Sequence, residues 1–204
     1  MIKSELGDSK FQKRLLLFNS ALPAAFLLWD GLQGNLGANP IEAFIRSTGV
    51  LTLIFLALTL SVTPLAQLMK WSWLIKHRRA IGLISFAYGL LHFLSYVIFD
   101  RGADLSSVPA DIAKRPFILV GFGALMLMVP LAITSTNIMI KRLGPKRWRA
   151  LHKLTYPIAV AGVVHYWMIV KSDITAPLGF AIVIGALLAT RLGLRSARKQ
   201  PRRA

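Results

Sequence analysis

The chain has 204 residues, of which 55% are hydrophobic and only 16% charged, and its 25 Lys and Arg against 8 Asp and Glu give a formal net charge of +17. That balance excludes an ordinary water-soluble domain. The absence of cysteine excludes disulfides, iron–sulfur clusters and every thiolate-ligated metal.

Six apolar stretches are each long enough to cross a hydrocarbon core, which takes roughly 20 helical residues. They fall at 15–33, 50–69, 80–99, 117–136, 154–170 and 177–194. Continuous runs such as Leu53-Ile54-Phe55-Leu56-Ala57-Leu58 fit helices, whereas a membrane barrel would show short alternating segments. The first stretch follows Lys10-Phe11-Gln12-Lys13-Arg14 and is read as an uncleaved anchor, because no small-x-small cleavage site precedes a soluble domain. No repeat or linker divides the chain. The expectation is an all-α polytopic membrane protein, a six-helix transmembrane bundle forming one domain over 1–204.

Charge orients this bundle, because cytoplasmic loops collect Lys and Arg. With the N-terminus inside, Lys3, Lys10, Lys13 and Arg14, then Lys70, Lys76, Arg78 and Arg79, then the run from Lys141 to Lys153, then Arg191 to Arg203 all face the cytoplasm. Only Arg46, Arg101, Lys114, Arg115 and Lys171 are left outside. Acids run the other way, with Glu5 and Asp8 alone on the inner side. Both termini are therefore expected in the cytoplasm, and the five tryptophans fall near span ends, where such rings settle. The positive charge is mainly topological, and no nucleic-acid partner is expected.

Within the spans, His92 and His165 each stand in a long apolar run. Intramembrane histidine is rare and by default functional. Spans three and five run in the same direction, so both residues lie in the outer half at similar depth. Two readings stand at this point. In one, the imidazoles ligate haem iron from opposite sides, giving a six-coordinate electron-transfer site. In the other, they bridge helices by hydrogen bonds. Zinc fits less well, because a catalytic zinc site takes three protein ligands.

His152 precedes His165 by 13 residues, about 19.5 Å along a helix, which suits one haem per leaflet. Thirteen residues also turn the helix so that the two side chains stand roughly 140° apart. Either a kink at Pro157 or a position of His152 just outside the helix would resolve this. The inner partner is open as well: Arg78 cannot ligate iron, and His77 can, or it is a solvated loop histidine. Arg78, Arg79, Tyr88, Arg147 and Trp148 are candidate cofactor contacts. The basic segment from Lys141 to Lys153, with Leu143, Trp148 and Leu151 interleaved, suits either an anionic flavin phosphate or acidic partner, or anionic lipid.

The residues Leu36-Gly37-Ala38-Asn39-Pro40 with Thr48-Gly49, Leu60-Ser61-Val62-Thr63-Pro64-Leu65, Arg78-Arg79 with Leu91-His92-Phe93, and Lys114-Arg115-Pro116-Phe117 form a recognisable set. Ile133-Thr134-Ser135-Thr136, Arg142-Leu143-Gly144, Leu151-His152, His165-Tyr166-Trp167 and Val170-Lys171 extend it. Over 36–171 the chain resembles the MsrQ family, haem-binding membrane subunits of bacterial periplasmic methionine sulfoxide reductase systems within the ferric-reductase-like transmembrane superfamily. The resemblance implies haem b, one or two per chain, with His92 and His165 as the outer pair and His152 also important. It implies FMN on the cytoplasmic side, location in the bacterial inner membrane, and a periplasmic molybdenum-containing methionine sulfoxide reductase as acceptor. Quinol or a cytosolic flavin reductase is the implied donor. Arg78 stands where related oxidases have a fourth histidine.

A relay subunit without a complete catalytic site is the resulting expectation. The chain is expected to carry no flavin or nicotinamide domain, and Gly121-Phe122-Gly123 lacks the strand and third glycine of a dinucleotide fingerprint. Two alternatives are a stand-alone ferric-reductase-like or superoxide-forming haem protein, and a transporter or assembly factor with structural histidines.

Overall fold

A computed structural model describes residues 9–199, with side chains described for 10–194. Lys3, Glu5, Asp8, Arg202 and Arg203, which enter the charge reading, lie outside the described residues, as do the side chains of Arg195, Arg198 and Lys199. Among the described residues every regular element is helical. The elements are α1 (Ser9–Leu32), α2 (Pro40–Leu68), a 3₁₀ turn (Ser72–His77) running into α3 (Arg78–Ser95) and a π turn (Tyr96–Asp100), then α4 (Val108–Lys114), α5 (Pro116–Ile133), α6 (Asn137–Leu151), a second 3₁₀ turn (His152–Leu154), α7 (Thr155–Ile169) and α8 (Thr175–Lys199).

Five helices among the described residues are long and apolar enough to cross a membrane: Lys10–Leu32, Pro40–Leu68, Ser72–Asp100, Pro116–Ile133 and Thr175–Leu194. The expected span at 154–170 is a helix of 15 residues. At 1.5 Å per residue it is about 22 Å long, against a hydrocarbon core of about 30 Å. Apolar side chains such as Leu17, Phe18, Phe26 and Leu28 point outward from α1. In lipid such a surface carries no hydration penalty.

Helix α2 begins ten residues before the expected position 50, because its first turns are capped and not merely apolar. The Asn39 side chain accepts from the Glu42 amide at 3.2 Å and donates to the Glu42 carboxylate at 3.1 Å, with Pro40 at the first helical position. This is a capping arrangement that satisfies otherwise orphaned end groups.

Pro64 lies inside α2 and cannot donate to the carbonyl of Leu60 four residues earlier. Arg191 of α8, 7% exposed, supplies the missing donors. Its Nε and a terminal nitrogen reach the Leu60 carbonyl at 3.1 and 2.6 Å, the same terminal nitrogen reaches the Thr59 carbonyl at 3.4 Å, and the other donates to the Tyr156 hydroxyl at 3.3 Å. The guanidinium also lies over the Tyr156 ring. One side chain thus joins α8, the Pro64 turn of α2 and α7.

The principal packing pairs are α2 with α3 and α5 with α7, closed by α3 on α5 and by α8 against α2 and α7. Leu53, Leu56, Leu60, Met128, Ile158, Ala159 and Ile184 form the buried core. This apolar plug separates two polar layers, described next.

Candidate functional site

The layer that the charge pattern assigns to the outer side contains His92 of α3 and His165 of α7, whose ring centroids are 6.0 Å apart with planes at 80°. Nδ1 of His92 donates to the Ile45 carbonyl of α2 at 2.8 Å, and Nδ1 of His165 donates to the Phe117 carbonyl of α5 at 2.6 Å. A carbonyl only accepts, so each bond fixes the proton on Nδ1 and leaves the lone pair on Nε2. This is the second-shell arrangement that orients ligating imidazoles. The Thr48 hydroxyl stands 3.5 Å from His92 Nδ1.

The donor set discriminates among metals. Among the described residues no group of three or more His, Asp or Glu side chains is placed to hold an ion, so a zinc or carboxylate-bridged site does not fit. Two imidazoles suit a metal that brings its own equatorial ligands. Two metal–imidazole bonds of about 2 Å, with about 1 Å more from each nitrogen to its ring centre, place opposed rings roughly 6 Å apart. The observed 6.0 Å between ring centroids is compatible with that spacing, and the two residues would be the ones to hold haem iron.

The inner layer is a cavity of about 210 Å³ whose polar lining is Arg78, Arg79, Thr59, Ser135, His152 and Thr155, with Trp148 at its wall. His152 donates from Nδ1 to the Trp148 carbonyl at 3.0 Å and stacks on the Trp148 ring at 3.9 Å. Its Nε2 is 3.5 Å from the Ser135 hydroxyl, so it too presents a lone pair on Nε2. His152 sits in the 3₁₀ turn before α7, and Pro157 falls in the first turn of that helix, where no amide donor is required. The azimuth conflict is thus relieved by a position outside the helix, without a kink at Pro157.

Other expected contacts lie elsewhere. His77 is buried, but its Nε2 donates to the Gln12 side chain at 3.0 Å and its ring meets Trp73 edge-on, away from the inner cavity. Tyr88 donates to the Ser20 carbonyl at 2.6 Å and stacks on Phe55 at 5.3 Å, pinning α3 to α1. Arg147 is exposed on α6 and is absent from the cavity lining. Trp148 anchors α6 by donating to the Thr134 carbonyl at 3.0 Å, and Arg79 donates to Asn137 at 2.6 Å. On the outer side Arg46 pairs with Glu42, and Arg101 faces Asp111.

Sequence reasoning missed Ile45 and Phe117, which act through backbone carbonyls, and Gly121, noticed only as a failed nucleotide motif. A glycine facing each histidine-bearing helix was the available signal.

Comparison with known proteins identifies the family. Residues 47–163 match the family described as ferric reductase like transmembrane component. A protein of Rhodospirillum rubrum is 50% identical over 192 residues, covering 93% of this chain and 91% of its own length. Relatives in Herminiimonas arsenicoxydans (47% over 182 residues, 88% and 84% covered) and Deinococcus radiodurans (42% over 190 residues, 92% and 93% covered) bear the same name. All three are named protein-methionine-sulfoxide reductase heme-binding subunit MsrQ. With that identity across most of its length, the chain belongs to the MsrQ family of ferric-reductase-like transmembrane proteins.

Proposed function

We propose that this multi-pass membrane protein is an electron-transfer subunit that holds haem b between His92 and His165 and supplies electrons to a methionine sulfoxide reductase. The observation that carries the reading is the pair of imidazoles at 6.0 Å, each fixed through Nδ1 and offering Nε2. Haem iron bound there would exchange single electrons between its ferric and ferrous states. The names of the relatives support both the haem and the reductase.

The finer assignments follow from the resemblance and the charge pattern. The bundle crosses a bacterial inner membrane six times, with α7 and its preceding 3₁₀ turn forming the short crossing and both termini in the cytoplasm. Electrons enter at the inner cavity, where Arg78 and Arg79 favour an anionic group and Trp148 offers a stacking face. FMN or a quinol, supplied with or without a cytosolic flavin reductase, fits that chemistry. His152 is the one imidazole available there for a second haem. The acceptor is a periplasmic molybdenum-containing reductase.

The test is visible absorption of the purified protein, oxidised and dithionite-reduced, with pyridine haemochrome quantification per chain. Wild type should show low-spin b-type bands, His92→Ala and His165→Ala should each lose the outer haem, and His152→Ala should alter any second one. A colourless wild-type protein from haem-replete cells would overturn the reading.

A further inference from the structure

We propose that Gly49 and Gly121 are positioning residues for the outer iron site, each forming the floor of a seat against which one ligating imidazole leans. The inference rests on the haem reading above and extends it to residues that bear no side chain. The two seats have one design. His92 donates to the carbonyl of Ile45, four residues before Gly49 on α2, and His165 donates to the carbonyl of Phe117, four residues before Gly121 on α5. In an α-helix the carbonyl of one residue accepts from the amide four residues on. Each ring therefore lies over a backbone hydrogen bond whose donor residue is the glycine.

The approach is closer than a side chain permits at position 121 and tighter than most side-chain contacts at position 49. A Cβ at position 121 would stand 2.6 Å from Cε1 and 2.7 Å from Nδ1 of His165. At position 49 it would stand 3.1 Å from the same two atoms of His92. These rings are held by their carbonyl bonds and cannot swing aside without losing them. The glycines thus set how far each imidazole retreats from the other, and with it the ring separation and the choice of Nε2 as the ligating nitrogen. Gly123, two residues along α5, meets nothing within 4 Å, so the close approach is a property of position 121 and not of the whole helix.

The seats are graded. Position 121 admits no Cβ unless His165 moves, whereas position 49 requires His92 to give by a few tenths of an ångström. Gly121→Ala is expected to weaken haem binding by about tenfold or more, within the range for lost support of metal ligands, and to shift residual haem from low-spin to high-spin. Gly49→Ala should keep its haem with a raised reduction potential, because a lengthened Nδ1 hydrogen bond makes the imidazole a poorer donor. Gly123→Ala should match wild type.

The experiment uses the full chain purified from haem-replete cells, with haem per chain, electron paramagnetic resonance and redox titration for each variant, and circular dichroism to check helix content. Wild-type spectra and potential in Gly121→Ala, or equal losses in Gly121→Ala and Gly123→Ala, would overturn the proposal. If Gly121→Ala does not accumulate, an unchanged potential and spectrum in Gly49→Ala decides against the seats. A wild type without haem, or with haem unaffected by His165→Ala, would instead reject the underlying reading.

Discussion

The three histidines at the two polar layers share one chemical state, with Nδ1 donating to a backbone carbonyl and Nε2 left with its lone pair. His77 is the exception, since its Nε2 is engaged by Gln12. His92 and His165 were legible in sequence because imidazole is conspicuous in an apolar run. Their supports were not, because a carbonyl belongs to every residue and the sequence does not say which one a distant ring will meet. The role of Arg191 was hidden for a similar reason: the charge pattern counts it on the inner side but does not show that it is buried against the Leu60 carbonyl, whose helical partner would be Pro64. Arg191→Ala leaves the Leu60 carbonyl, whose helical partner would be Pro64, without a donor, a loss of about 1–3 kcal/mol for a buried unsatisfied group. Thermal denaturation in detergent should show a lowered midpoint, with Arg191→Lys intermediate. An unchanged midpoint in the alanine variant would mean that water replaces the guanidinium.

Among the elements, hydropathy located the membrane segments but not the helix ends. It marks where lipid begins, while capping marks where helix begins, and at Asn39 the two differ by ten residues. Between Arg101 and Lys114 the helical spacing of Leu105, Val108 and Ile112 does not translate into one continuous helical face. Only Val108–Lys114 is helical there, with Leu105 outside it and 71% exposed. What fixes α4 is polar. Buried Asp111 accepts from the Tyr96 hydroxyl at 2.7 Å and pairs with Arg115 at 3.0 Å, linking the end of the His92 helix to the start of α5. Asp111→Asn preserves volume and removes the charge opposite Arg115. It should cost about 1–3 kcal/mol, the range for hydrogen bonds involving a charged group and for their unsatisfied remnants. Tyr96→Phe should cost less, and equal melting temperatures for wild type and Asp111→Asn would show the link to be dispensable.

At the scale of the molecule, composition identified a membrane protein and the long continuous apolar runs an all-helical one, and the matched transmembrane family agrees. The number of crossings was less legible, because α7 is short and begins in a 3₁₀ turn whose residues read as apolar helix. Orientation is directly testable, since the chain contains no cysteine. A single cysteine at Leu105 should react with a membrane-impermeant maleimide in intact spheroplasts, and one at Arg142 only after lysis. The reverse pattern would place the basic surface outside.

The clamp made by Arg191 also bears on biogenesis. An arginine well inside an isolated apolar helix raises its insertion free energy by roughly 2.5–3.5 kcal/mol at the bilayer centre, and less near the interface. The acceptors for this one are the Leu60 and Thr59 carbonyls, in a segment synthesised some 130 residues earlier. The last helix is thus poorly retained as an independent unit and well retained once it meets the second, so its entry into lipid and its docking become a single late event. Retention of α8 in lipid is therefore coupled to its docking on α2 through Arg191.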